Sequence, residues 1–183
     1  FVQNGIQYYQ YINNTQAIVW GAEFEIRKRL DQVASWLKDF SVNFNFTQIQ
    51  SQVDLTPYQQ AQQAAIGIFN TTRPLQGQPT YITNAGLDYN NVAYNFYAGL
   101  FFNVTGPMLY AVGANLPGIY EQPAPSLDFN LTQGLTENWK LTFRAKNLLN
   151  PIYRRTITYN GAEYDYSTYT KGWDMSMNVS YGF

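Results

Sequence analysis

Apolar and polar side chains alternate along several stretches of the chain, the period of two that puts successive side chains on opposite faces of a β-strand. The last stretch sets Trp173, Met175, Met177, Val179, Tyr181 and Phe183 against Asp174, Ser176, Asn178, Ser180 and Gly182. Leu141, Phe143 and Ala145 alternate with Lys140, Thr142, Arg144 and Lys146. Leu127, Phe129 and Leu131 alternate with Asp128, Asn130 and Thr132, and Ala85, Leu87 and Tyr89 with Asn84, Gly86 and Asp88. Phe40, Val42, Phe44 and Phe46 alternate with Ser41, Asn43, Asn45 and Thr47, while Ile18, Trp20, Phe24 and Ile26 oppose Glu23, Glu25 and Arg27. Residues 94–104 carry apolar side chains on both faces, so their facing stays open. With a weaker segment, Ile6 to Ile12, the pattern predicts eight strands.

The connections alternate in length. Asp31–Asp39, Asn90–Asn91 and Thr136–Asn138 are short, whereas Val53–Pro79, Gly113–Pro125 and Asn150–Gly172 are long. Short turns on one side and long loops on the other are the pattern of an antiparallel transmembrane β-barrel, with the short turns in the periplasm and the long loops outside. If Phe183 ends in the periplasm, counting strands backwards puts every long connection on the outer side. Within the first long loop, Thr56-Pro57 followed by Tyr58–Ala65 reads as an N-cap, a proline at the first helical position and a short helix. Asn-x-Ser/Thr sequons such as those at Asn45, Asn130 and Asn178 follow from Asn and Thr sharing a polar face, and no glycan is assigned to them.

Composition agrees with a lipid-facing β-structure. Aromatic residues make up 17% of the 183 residues and charged residues only 13%, against about 25% charged in an average soluble domain. The apolar runs, such as Ala64 to Phe69, are too short for a helix to cross a bilayer. With no cysteine and no histidine, disulfides, Cys/His metal sites and Ser-His-Asp or Cys-His catalysis are excluded within this chain. No cofactor is called for, and no enzymatic activity. A net charge of −1 without a basic block argues against nucleic acid as a partner. The chain starts at Phe1 without an initiator Met or signal peptide, as a processed end or a piece of a longer protein would.

Four stretches resemble the TonB-dependent receptor family of the bacterial outer membrane. Lys146-Asn147-Leu148-Leu149-Asn150-Pro151-Ile152-Tyr153-Arg154 is similar to that family's NLxD-x-Y signature on the penultimate strand, with Asn150 and Pro151 where Asp is commoner. Gly21-Ala22-Glu23-Phe24-Glu25 is similar to its GxExE strand. Arg73-Pro74-Leu75-Gln76-Gly77-Gln78 leads into Asn84-Ala85-Gly86-Leu87, and the last strand ends in Phe183. The order and spacing match over most of residues 15–183.

The resemblance implies a twenty-two-stranded barrel filled by an N-terminal plug. Residues 1–183 would be the C-terminal portion of that barrel, about eight strands of it, with the plug and TonB box absent. The expected partners are outer-membrane lipid, the rest of the barrel and plug, the TonB system through the plug, and the barrel-assembly machinery. That machinery would read the terminal strand through Trp173, Val179, Tyr181 and Phe183, although Phe183 also suits an aromatic girdle. The implied function is uptake of a scarce ligand: an iron–siderophore complex, cobalamin or an oligosaccharide.

Charges on the polar strand faces cost a few kcal/mol each at the lipid midplane, so they should face the lumen. Among them Arg144 and Asp128 are candidate ligand contacts or plug-facing wall residues. Tyr159, Tyr164 and Tyr166, with Tyr153 and Tyr169, could stack on a ligand or pack the last loop. Two other architectures fit part of the pattern: a complete eight-stranded outer-membrane barrel with a structural or adhesive role, and a soluble β-sandwich.

Overall fold

The computed structural model describes residues 2–3, 6–7, 16–113 and 116–182. Its strands are β1 (Val2–Gln3), β2 (Ile6–Gln7), β3 (Ala17–Arg29), β4 (Phe40–Asp54), β5 (Thr72–Arg73), β6 (Tyr81–Asn91), β7 (Phe96–Thr105) and β8 (Met108–Ala111). They continue with β9 (Ile119–Glu121), β10 (Ser126–Gly134), β11 (Trp139–Lys146), β12 (Tyr153–Tyr159), β13 (Ala162–Tyr169) and β14 (Asp174–Tyr181). One helix, α1, spans Pro57–Ala64.

The main sheet is antiparallel with strand order β14-β11-β10-β7-β6-β4-β3, and β5 adds to the outer end of β4. β3 and β14 form its two ends and do not pair with each other, so the sheet is open among the described residues. Among the described residues its eighth strand is β5, and most of the Ile6–Ile12 segment lies outside them. Ile6–Gln7 pairs with Val2–Gln3 in a separate two-stranded sheet, and residues 8–15 lie outside the described residues. An open edge leaves a row of backbone donors and acceptors that lipid cannot satisfy, so each must meet a further strand in a membrane.

Register sorts the side chains into two faces. One row joins Ile26, Phe44, Ala85, Phe102 and Leu127, and another joins Phe40, Tyr89, Ala98, Leu131, Phe143 and Met177. Edge-to-face and tilted ring pairs run along this face, at 6.4 Å for Phe24 and Phe44 and 6.5 Å for Phe129 and Phe143. Outward side chains stay open: Met177 is 72% exposed and Trp20 60%. The opposite face joins Arg29, Ser41, Asp88, Gly99, Asn130, Arg144 and Ser176. It is tied by side-chain bonds, Asn43 to Asp88 at 3.2 Å, Asn103 to Asn84 at 2.6 Å, and Asn45 to Glu23. The same register settles residues 94–104: Phe96, Leu100 and Phe102 fall on the apolar face, Tyr97 and Phe101 on the polar one. Tyr97 and Phe101 close over Gly99, where a Cβ would strike both rings.

Gly21 of the GxExE stretch has a steric reason. It sits opposite Ile49 in the β3–β4 ladder, and a Cβ there would run into the Gln48 carbonyl oxygen.

The three hairpin connections at one end are short. Residues 30–39 form two 3-10 turns. The expected turn at Asn90–Asn91 lies two residues later: both asparagines stay in β6, opposite Tyr97 and Phe96. Asn91 instead accepts the Tyr94 N–H through Oδ1 and caps a 3-10 turn over Val92–Tyr94, and Asn95 closes it at φ 47°. Asparagine tolerates that left-handed region better than other side chains, and among the described residues the four non-glycine residues found there are all asparagines: Asn95, Asn147, Asn150 and Asn160.

Candidate functional site

At the other end the long connections are structured, not loose. Helix α1 forms as its capping residues dictate: Thr56 Oγ1 accepts the Gln59 N–H at 3.3 Å, Gln59 Oε1 accepts the Thr56 N–H at 2.9 Å, and Pro57 needs no partner for its nitrogen. The loops expected over 113–125 and 150–172 contribute strands to one outer sheet of order β13-β12-β9-β8. β12 and β13 form a hairpin around Asn160-Gly161, at φ 50° and 76°. Asn-Gly is the sequence signature of such a two-residue turn, and it was there to be read.

The first long connection docks on this sheet. The Gly77 N–H donates to the Leu109 carbonyl at 2.9 Å and the Gln76 side-chain amide to the Tyr110 carbonyl at 2.9 Å. Val53, Leu55 and Leu109 are buried beneath, at 1%, 4% and 2% exposure. Packing of this kind is concentrated in the outer cap, because the wall spends its two faces elsewhere.

The two faces of the outer sheet differ in chemistry. On one, Arg155 donates to Glu121 at 3.1 Å and lies over the Tyr110 ring at 3.6 Å. Tyr153 and Tyr169 stack at 5.1 Å, with the Lys171 ammonium 4.0 Å from the Tyr153 ring. On the other, Arg154 donates to Asp165 at 2.7 Å and reaches Glu163 at 3.4 Å. Hydrogen bonding to Asp165 raises the Arg154 pKa above its ordinary value, and hydrogen bonding to Glu121 does the same for Arg155. Thr156, 1% exposed, accepts the Gln122 side-chain N–H at 2.7 Å, so its buried hydroxyl is satisfied.

The tyrosines singled out from sequence separate here. Tyr159 and Tyr164 line one apolar cavity of about 280 Å³ with Ile66, Leu116, Pro117 and Ile157, so all three long connections meet at it. Tyr166 does not. The ladder passes from Thr156–Asp165 to Arg155–Ser167, which leaves Tyr166 as the extra residue of a β-bulge, 58% exposed. Arg144 and Asp128 stand on the polar face of the main sheet, apart from the tyrosines. Asp128 is engaged locally: its Oδ1 accepts the Ser126 hydroxyl at 2.9 Å and the Asn147 N–H at 2.9 Å. Trp173 immediately precedes β14, Val179 and Tyr181 lie within it opposite Leu141 and Trp139, and Phe183 falls outside the described residues.

A second cavity, of about 420 Å³, was not foreseen. It lies between α1, β5, β9 and β12 and is lined by residues that include Gln63, Arg73, Tyr120 and Thr158. Only the Arg73-Pro74 motif pointed anywhere near it. A third hollow, about 700 Å³, runs along the polar face of β3, β4 and β6 beside Glu23, Glu25, Asn45 and Asp88. Among the described residues no cluster of acidic side chains could hold a metal ion, and no helix is long and apolar enough to cross a membrane, which says nothing of a β-barrel.

No curated protein matches the chain by sequence. Among solved structures it is similar to the ferric yersiniabactin uptake receptor FyuA from Yersinia pestis, with a TM-score of 0.62 and 17% identity, over 91% of this chain. The chain spans only 24% of that structure's length, and the likeness speaks for the fold. Residues 1–148 match the family described as TonB dependent receptor-like, beta-barrel. An antiparallel sheet with one apolar and one polar face, short turns at one end and a folded cap at the other, is compatible with that match. The chain belongs to the TonB-dependent receptor β-barrel family.

Proposed function

We propose that residues 1–183 are the C-terminal part of an outer-membrane receptor that takes up a scarce ligand at the expense of TonB-coupled energy. The observation that carries this reading is the contrast between the sheet's two ends: short turns at one, and at the other three connections folded together around cavities. The apolar face meets lipid, the polar face lines the lumen against the plug, and the cap contacts ligand. Tyr159 and Tyr164 are the recognition residues of the apolar cavity, with Tyr166 beside them. Arg144 and Asp128 line the passage below. Energy coupling belongs to the plug and its TonB box. The barrel-assembly machinery reads the terminal strand through Trp173, Val179, Tyr181 and Phe183.

A small closed barrel with an adhesive role is disfavoured because β3 and β14, the ends of the main sheet, do not pair with each other among the described residues. The transport reading is tested in cells that display the complete receptor, with and without TonB. Accumulation of an iron–siderophore complex, cobalamin or an oligosaccharide is measured. Uptake of one class that disappears without TonB is expected, and uptake of none, or uptake indifferent to TonB, rejects the reading.

A further inference from the structure

We propose that the cavity bounded by Arg73, Gln63 and Tyr120 binds the carboxylate end of a small hydroxycarboxylate ligand. This deepens the loop-recognition reading and rests on it.

Arg73 is placed firmly. Its backbone pairs with Val53, which is buried, and one guanidinium nitrogen donates to the Pro74 carbonyl at 3.1 Å. Its Nε is buried without a hydrogen-bond partner, and no carboxylate lies within ion-pair distance among the described residues. Arg154 and Arg155, a few strands away, both have carboxylates. Leaving a partly desolvated guanidinium without an anionic partner carries a cost, and burial lowers the Arg73 pKa from its ordinary value. An anionic oxygen brought into the cavity would recover that cost.

The neighbours narrow the ligand. Gln63 lines the same cavity, and its Oε1 is also buried without a partner, so a ligand that reaches it would supply an O–H or N–H donor. Burial raises the pKa of the Tyr120 phenol, opposed by the charge of Arg73, which keeps it a neutral donor at physiological pH. Leu109 and Ile68 form apolar wall and suit a hydrocarbon body. A guanidinium edge accepts a planar carboxylate through two parallel bonds. Bare inorganic anions offer no hydrocarbon body for the wall. Pro117 borders this cavity and the tyrosine-lined one alike, so the two are adjacent parts of one cap.

The test uses the complete receptor in detergent and two probes of the same shape. Mandelate carries a carboxylate, an α-hydroxyl and a phenyl body, and mandelamide keeps the shape while replacing the carboxylate with a neutral amide. Titration calorimetry should show mandelate binding and mandelamide at least about tenfold weaker, as loss of a charged hydrogen bond implies. Arg73→Ala should lose mandelate by a similar factor, and Gln63→Leu by several-fold. Heat-modifiable mobility reports assembly, and if Arg73→Ala fails to assemble, Gln63→Leu decides. The proposal is overturned by no mandelate binding, by equal binding of the two probes, or by unchanged binding in the variants. Arg73-dependent binding without TonB-dependent uptake would keep the cavity and reject transport. Uptake with Arg73-independent binding would do the reverse.

Discussion

The Asn147 side-chain amide donates to the Gly172 carbonyl at 2.6 Å, across 25 residues of sequence. Gly172 gives its N–H to Asn150 Oδ1 at 3.0 Å, so the two asparagines hold both backbone groups of one glycine. The NLxD-like stretch is therefore a clasp. It turns through the left-handed residues Asn147 and Asn150, and it fastens the base of the β12–β13 excursion where β11 ends and β14 begins.

Replacing Asn147 with Gly keeps the left-handed backbone available and removes only the amide. The expected loss is about 1 kcal/mol, the usual worth of such a bond. Hydrogen exchange at residues 153–169 should accelerate while the wall strands keep their protection. Unchanged exchange in the hairpin would show that the clasp holds nothing.

Gly21→Ala forces a methyl group toward the Gln48 carbonyl in a ladder that has no side-chain slack. A destabilisation of about 1–3 kcal/mol is expected, in line with overpacking elsewhere. Urea unfolding of the receptor in micelles measures it, and Gly161→Ala, whose Cβ meets open space, isolates the backbone contribution at φ 76°.

Neighbouring residues of β14 should respond oppositely to charge. Met177→Arg puts a guanidinium on the apolar face and should cost about 2–4 kcal/mol on insertion near the midplane. Ser176→Arg, on the face shared with Arg144, should cost little. Folding into vesicles of defined thickness compares them. Equal costs would mean that the assignment of faces is wrong.

The tyrosines should divide. Tyr159→Ala and Tyr164→Ala each remove a ring from the wall of the apolar cavity, so ligand binding should weaken by about tenfold, with assembly intact. Tyr166→Ala, at a bulge outside that lining, should weaken it less. If Tyr166 matters most, recognition lies on the sheet surface rather than in the cavity.

Much of the wall was legible because lipid and lumen impose opposite demands on adjacent residues. Trp173 through Tyr181 could be read directly, and so could the helix after Thr56-Pro57. Residues 94–104 could not, since Tyr97 and Phe101 are apolar by type yet serve the polar face, where they cover Gly99. The turn after β6 was misplaced because Asn90 and Asn91 look like turn residues, although only Asn95 takes the left-handed conformation. The outer cavities were illegible for a different reason. Gln63, Arg73, Tyr120 and Thr158 belong to four separate elements, and no local pattern announces a meeting made by the folding of three loops.

Because β9 belongs to one connection and β12 to another, and Arg155 reaches Glu121 across them, the outer loops do not vary as independent modules. Exchanging residues 147–173 for a relative's loop would leave β9 paired on one side only, with β8, and Glu121 without its cation. Substitutions in 106–125 that alter this contact would therefore need matching ones in 147–173. A designer who wants a different ligand will have to transplant the pair.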